Sequence, residues 1–132
     1  MGFTTDGDVI EFLTDYITDL GLSDRDPGEI LDRYFVPEFE YVAEDSVLDR
    51  QRMIDHARPA RRNVGGAETP SLEVDVHDAL VSGDRIAARY TLRTTLRRGK
   101  TFEAEIFMFG RLAPDGRIRR IEQTTRPRAA ES

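Results

Sequence analysis

The sequence predicts an α+β fold in which three N-terminal helices pack on the concave face of a strongly curved, mostly antiparallel sheet. Two observations predict it. The C-terminal half alternates apolar and polar residues over Leu72–Val81, Ile86–Leu96, Thr101–Leu112 and Arg117–Thr125. Between these stretches lie Ser82-Gly83-Asp84, Arg98-Gly99-Lys100 and Ala113-Pro114-Asp115-Gly116, compact sequences that close hairpins. The N-terminal half instead carries its apolar residues at helical spacing. Helices followed by one meander must cover a sheet face, and a curved sheet covered in this way encloses a pocket.

Val9, Leu13, Tyr16, Ile17 and Leu20 form the buried stripe of the first helix, widened by Ile10 and Phe12. Thr5 and Asp6 can cap its start and Gly21 its end. The second helix opens at Asp26-Pro27-Gly28-Glu29, with Asp26 as N-cap, Pro27 at the first helical position and Glu29 placed to complete a capping box. Ile30, Leu31, Tyr34 and Phe35 form its buried side, and Pro37 is expected to stop it. Phe39–Val42 reads as a short strand. Asp49 starts a third helix bearing Met53, Ile54 and Ala57, with Pro59 as its expected end. Arg61–Pro70, containing Gly65-Gly66, reads as a mobile loop. Residues 1–125 are expected to form a single domain, and 126–132, with little to bury, a flexible tail.

Side chains alternate across a strand, so hairpin register decides which residues share a face. A three-residue loop at Arg98-Gly99-Lys100 sets Leu96 against Phe102, Thr94 against Ala104, Leu92 against Ile106 and Tyr90 against Met108. The other face then pairs Arg93 with Glu105 and Thr95 with Glu103, matching charge and polarity. Setting Leu112 opposite Arg117 brings Ile121 beside Met108 and Gln123 beside Ile106. Setting Val81 opposite Arg85 turns Leu72, Val74, Val76 and Leu80 inward together with Asp78, and a bulge would exchange Asp78 for His77. The outer face carries Phe107 and Phe109 among charged residues, which marks a subunit interface and predicts a homodimer.

Composition bounds the function. The chain has 132 residues, enough for a real core in one domain, and 39% of them are apolar. Charged residues make up 33% and are interspersed, as on a solvated surface. A net charge of −6 argues against nucleic-acid binding, although Arg58, Arg61 and Arg62 can either meet an anion or offset a helix dipole. The absence of cysteine excludes disulfides, thiolate metal sites and a cysteine nucleophile. With no apolar run near the roughly 20 residues of a membrane span and no signal-peptide pattern, a soluble cytoplasmic protein is expected.

These elements resemble the nuclear-transport-factor-two-like superfamily, and within it the SnoaL-like polyketide cyclases and ketosteroid isomerases. The resemblance runs from about Val9 to Thr125. It rests on Tyr16-Ile17-Thr18-Asp19-Leu20 with Ser23-Asp24-Arg25-Asp26, on Val81-Ser82-Gly83-Asp84-Arg85-Ile86, and on Phe109-Gly110-Arg111-Leu112 running through Ala113-Pro114-Asp115-Gly116-Arg117-Ile118. It implies a cystatin-like cone around an apolar pocket, pairing through the outer sheet face, and cofactor-free acid–base chemistry. Tyr16 matches the helix position from which the isomerases donate to an oxyanion. The isomerase general base falls near Ala43 and its second donor near Met108, neither of which can serve. The arginine and aspartates with which epoxide hydrolases of the superfamily activate water have no counterpart.

The candidate catalytic residues are therefore Tyr16, Asp45, His56 and Asp78. Asp45, with Glu44 beside it, follows a strand at the expected pocket mouth, where partial desolvation would raise a carboxyl pKa. His56 lies three residues from Met53, a spacing that could turn it toward the pocket, and histidine is a common acid–base group. Each also has an ordinary reading, as a core tyrosine, a solvated loop acid or a half-exposed helix histidine. Phe35, Tyr90, Ile106, Met108, Ile121 and Gln123 are the expected ligand-binding residues, Tyr90 joining Tyr16 as a donor to a carbonyl or enolate oxygen. Two distant histidines make no metal triad. The expected partner is an apolar carbonyl compound undergoing isomerisation, cyclisation or dehydration without a cofactor. The competing expectation is a non-catalytic binding or dimerisation module.

Overall fold

The computed structural model describes residues 3–64, 72–95 and 101–128. In chain order they form α1 (Asp6–Leu22), α2 (Pro27–Tyr34), β1 (Phe35–Ala43), β2 (Ser46–Leu48), α3 (Arg50–Val64), β3 (Leu72–Ser82), β4 (Arg85–Thr95), β5 (Thr101–Leu112) and β6 (Ile118–Arg128). The strands make one sheet in the order β2-β1-β6-β5-β4-β3. Neighbours are antiparallel except β1 and β6, whose parallel pairing joins the N-terminal strand to the meander. That junction sets Tyr41 beside Ile121 and Ala43 beside Gln123. Among the described residues no helix is long and apolar enough to cross a membrane.

The helix starts follow from their caps. The Asp8 carboxylate accepts the Thr4 and Thr5 N–H groups at 2.8 and 3.0 Å, and Thr5 Oγ1 accepts the Asp8 N–H at 3.2 Å, closing a capping box on α1. These bonds favour the ionised form and hold the Asp8 carboxyl below its ordinary value. Asp26 accepts the Glu29 N–H at 3.1 Å ahead of α2, and Asp49 accepts the Arg52 N–H at 2.9 Å ahead of α3.

The helix ends differ from expectation. Gly21 lies inside α1, where a Cβ would sit 2.6 Å from Leu72 Cδ2, so the glycine lets β3 approach. Pro37 does not stop α2, which ends at Tyr34; Phe35 already opens β1. Pro37 falls where the β1–β6 register is broken, between Phe35 and Glu40, so its missing N–H removes no regular ladder bond. Pro59 lies inside α3 rather than at its end. Residues 61–64 accordingly belong to α3, whereas Gly65-Gly66 and Arg98-Gly99-Lys100 lie outside the described residues, as do the side chains of Arg58, Arg61 and Arg62.

In β4–β5 and in most of β5–β6 the register is displaced by two residues from the expected one. Tyr90 pairs with Ile106, Leu92 with Ala104 and Arg93 with Glu103, while Leu96 lies outside the described residues. The displacement satisfies more charge. Glu103 takes Arg93 at 3.1 Å, while Glu105 takes Arg89 at 3.0 Å and also Arg126, which pairs across from it. In the last hairpin Gln123 pairs with Met108 and Thr125 with Ile106, with a bulge between Arg111 and Leu112. β6 continues to Arg128, beyond the expected strand end at Thr125. A two-residue displacement keeps every side chain on its face.

β3 behaves otherwise. Ser82 pairs with Arg85 around Gly83-Asp84, and a bulge separates Val76 from Asp78. Val74 and Val76 face the helices, as do Ala79 and Val81, whereas Asp78 and Leu80 turn to the open face. Leu80 is 62% exposed there.

The core lies between the helices and one sheet face. Val9, Leu13 and Tyr16 of α1, Ile30 and Leu31 of α2, and Met53 and Ile54 of α3 pack with Ile86, Tyr90, Ile106, Met108 and Ile121. Phe12, Tyr16, Phe35 and Phe39 form an aromatic run, with ring centroids 5.1 Å apart for Phe12–Tyr16, 5.4 Å for Tyr16–Phe35 and 4.6 Å for Phe35–Phe39.

Candidate functional site

Three tyrosines reach the helix-covered face from different elements: Tyr16 from α1, Tyr41 from β1 and Tyr90 from β4. Each supplies an apolar ring and a polar tip, so burying the ring brings a hydroxyl into an apolar setting. Burial is the largest influence on all three phenols and raises each above its ordinary value of 10.0. Tyr41 and Tyr90 add to the rise at Tyr16, and Tyr41 adds to that at Tyr90, so the three phenols share one region. All three remain neutral O–H groups at physiological pH.

Their hydrogen bonding differs. Tyr41 donates to Gln123 Oε1. The Tyr16 and Tyr90 hydroxyls have no such bond among the described residues; only burial and neighbouring phenols act on them. Among the described residues no fully buried side-chain nitrogen or oxygen lacks a partner. The tips of Tyr16 and Tyr90 must therefore touch accessible space, although the residues as wholes are only 5% and 2% exposed.

Phe35, Ile106, Met108 and Ile121 are buried in the core, and Gln123 lies on the helix-covered sheet face, flanked by Ala43 and Met108. The expected acids and histidine are not brought here. Asp45 is exposed in the turn between β1 and β2. Its neighbour Glu44, also exposed, takes a left-handed φ of 54°, uncommon without glycine. The Glu44 N–H donates to the Gln123 carbonyl at 3.2 Å, and its carboxylate accepts the Thr125 N–H, which holds the turn against β6.

His56 is exposed, whereas Met53, Ile54 and Ala57 are buried. At about 100° per residue those three span one arc, and His56 falls about 60° outside its Met53 edge. Asp78 is ion-paired to Arg89 at 3.0 Å on the open face. His77 is also on that face, its Nε2 2.6 Å from Thr91 Oγ1. The bulge thus sends both His77 and Asp78 away from the tyrosines. The inward positions of the described residues in β3 to β6 carry no carboxylate and no imidazole. Among the described residues no cluster of His, Asp and Glu can hold a metal ion.

Tyr41 is the site residue that sequence reasoning missed. The available signal was the two-residue spacing of Phe39, Tyr41 and Ala43 along one strand. Which face they share becomes visible only through the parallel pairing with β6.

A sheet of this order, with three helices and with β1 and β2 lying between α2 and α3 in the chain, has the arrangement of the NTF2-like class of α+β proteins. The SnoaL-like domain family matches residues 13–121, and the chain belongs to that family. Solved structures agree with the fold. AclR from Streptomyces galilaeus, a proposed hydroxylase, is 15% identical with a TM-score of 0.68, over 92% of this chain and 77% of that one. IdmH from Streptomyces antibioticus, a proposed polyketide cyclase, is 19% identical with a TM-score of 0.66, over 92% of each chain. A hypothetical protein with a ketosteroid isomerase-like fold from Catenulispora acidiphila, solved in complex with trimethylamine, is 13% identical with a TM-score of 0.63, over 91% of this chain and 85% of that one. No curated protein matches the sequence.

Proposed function

We propose that this chain is a small-molecule pocket protein that binds an apolar compound through one of its oxygen atoms. The observation that supports the reading is the pair of hydroxyl tips, Tyr16 and Tyr90, that have no hydrogen-bond partner among the described residues and lie in an apolar interior. Unbonded polar groups of this kind are costly unless a ligand or water meets them. Phe35, Ile106, Met108 and Ile121 form the apolar wall around that oxygen. Phe107 and Phe109, 44% and 40% exposed on the open face, are the proposed centre of a homodimer contact.

Inward positions without a carboxylate or imidazole favour binding and polarisation of the oxygen over a complete acid–base cycle. The second reading is a cofactor-free isomerase, cyclase or dehydratase in which the phenols stabilise developing charge. Exposed Glu44, tied by hydrogen bonds to the β6 backbone beside Gln123, is the carboxylate that favours it.

Titrations with 2-naphthol and naphthalene test the pocket. Wild type should bind 2-naphthol more tightly than naphthalene. Tyr16→Phe and Tyr90→Phe should each lose about fivefold for 2-naphthol and nothing for naphthalene, as one hydrogen bond predicts. Wild-type affinities in both variants, at unchanged thermal stability, would reduce the tyrosines to packing residues.

A further inference from the structure

We infer that Gln123 presents its amide N–H to the ligand space and that Tyr41 fixes this orientation, so the pocket selects ligands carrying an acceptor oxygen, a ketone or enolate, over ligands carrying a donor. The inference rests on the proposed pocket and names its ligand class. It begins from the geometry of one side chain. A glutamine amide has an acceptor end and a donor end, and whichever is engaged by the protein leaves the other for a ligand. Here Tyr41 donates to Oε1, taking one of its two lone pairs and turning the acceptor end toward β1. Among the described residues the Nε2 end has no hydrogen-bond partner and no fully buried side-chain nitrogen lacks one, so it too touches accessible space.

Placement brings that donor to the other polar tips. Gln123 sits on β6 between Ala43 and Met108, and Met108 shares its sheet face with Ile106, the residue opposite Tyr90. Tyr16 of α1 is buried in the same core as Tyr90, with Tyr41 packed against it. A phenol can donate or accept, but an amide N–H only donates. The fixed polarity of the set is therefore that of a donor. An ammonium or N–H ligand would meet no carboxylate at the inward positions of β3 to β6 and would oppose the Gln123 N–H. Tyr41 is a positioning residue here, because its own hydroxyl is spent on Gln123.

A matched ligand set on one ring system tests this: 2-acetonaphthone as acceptor, 2-naphthylmethylammonium as donor and naphthalene as the apolar reference. Wild type should bind the ketone at least about tenfold more tightly than the ammonium, since a site built around one polarity discriminates strongly. Gln123→Glu keeps an acceptor for Tyr41 and presents a carboxylate oxygen to the ligand. It should weaken the ketone about tenfold, strengthen the ammonium by a similar factor and leave naphthalene unchanged. Tyr41→Phe frees the amide to rotate and should reduce the ketone preference severalfold without affecting naphthalene. The carbonyl stretch of bound ketone should lie lower in wild type than in Gln123→Leu, a shift that a purely structural role would not produce.

If naphthalene fails to bind wild type, the pocket reading falls and this inference with it. If naphthalene binds but the ketone preference survives both Gln123→Glu and Tyr41→Phe, the pocket stands and the inference is overturned. Should Gln123→Glu not fold, Tyr41→Phe and the carbonyl stretch decide.

Discussion

Tyr41 reaches along the parallel β1–β6 junction to Gln123, two positions beyond Ile121, the residue with which it is paired, and donates its phenol proton to the Gln123 amide oxygen. The bond ties the strand that follows α2 to the last strand of the meander, at the place where the helix-covered face carries its polar groups. It should contribute to stability as well as to orientation. Tyr41→Phe is expected to cost about 1 kcal/mol, the net value of one such hydrogen bond, read as a lower urea midpoint at unchanged slope. An unchanged midpoint would mean that the bond does not persist in solution.

Alkaline stability reports on the tyrosine cluster. Tyr16, Tyr41 and Tyr90 titrate above 10.0 in the fold, chiefly because they are buried, and unfolding returns them to that value. Above about pH 10 the unfolded chain therefore releases protons that the folded chain keeps, so stability is intact below that pH and falls as pH rises. Each phenol still protonated in the fold adds about 1.4 kcal/mol per pH unit to the fall. Urea midpoints taken in steps above pH 10 should drop less steeply for Tyr90→Phe than for wild type. Parallel curves would show that Tyr90 is solvated.

Glu105 gives the acid side. It is 4% exposed although it lies on the open sheet face. Burial raises its carboxyl, but the Arg89 hydrogen bond and the Arg126 charge outweigh that and hold it below 4.5. A depressed folded pKa contributes stability above the unfolded value and loses it as pH falls through the folded one. Glu105→Gln should thus be less stable than wild type near neutrality, where Arg89 and Arg126 lose their shared carboxylate, and the gap should close in acid. A pH-independent gap would point to packing alone.

Packing has a sharp test at Gly110. A Cβ there would lie 2.8 Å from Cγ1 of Ile86, which is itself 1% exposed and has little room to move. Gly110→Ala should cost about 1–3 kcal/mol by overpacking, measured by thermal or urea unfolding. A neutral substitution would mean that β4 shifts freely over β5.

Leaving the exposed parts of Phe107 and Phe109 in water would forgo roughly 1–3 kcal/mol of burial. Sedimentation at micromolar concentration should therefore show a dimer, and a doubly substituted Phe107→Asp, Phe109→Asp chain should sediment as a monomer. A wild-type monomer would end the assembly proposal.

The legible parts of the sequence were those set by local period and by caps. Tyr90, Ile106, Met108 and Ile121 face the helices as their alternation implies, because a displacement of two residues preserves a face while changing every partner. Alternation alone cannot separate the two registers. The choice lies with the convergence of Arg89 and Arg126 on Glu105, which depends on three strands together. Asp78 was misplaced because one bulge at His77 reverses the strand from that point to the turn, and Ala79-Leu80 reads equally well in either sense. His56 was misjudged at the edge of a helical arc. Tyr41 was missed because its meaning comes from a partner 82 positions away in a parallel pairing that no local pattern announces.

The central claim is that the Tyr16 and Tyr90 hydroxyls are held for a ligand oxygen. A crystal structure with 2-acetonaphthone tests it most directly. The ketone should lie between α1 and the buried sheet face, with its oxygen within hydrogen-bond distance, about 2.5–3.0 Å, of at least one of the two hydroxyls. A ketone bound only at the surface, with both hydroxyls bonded to backbone carbonyls, would contradict it.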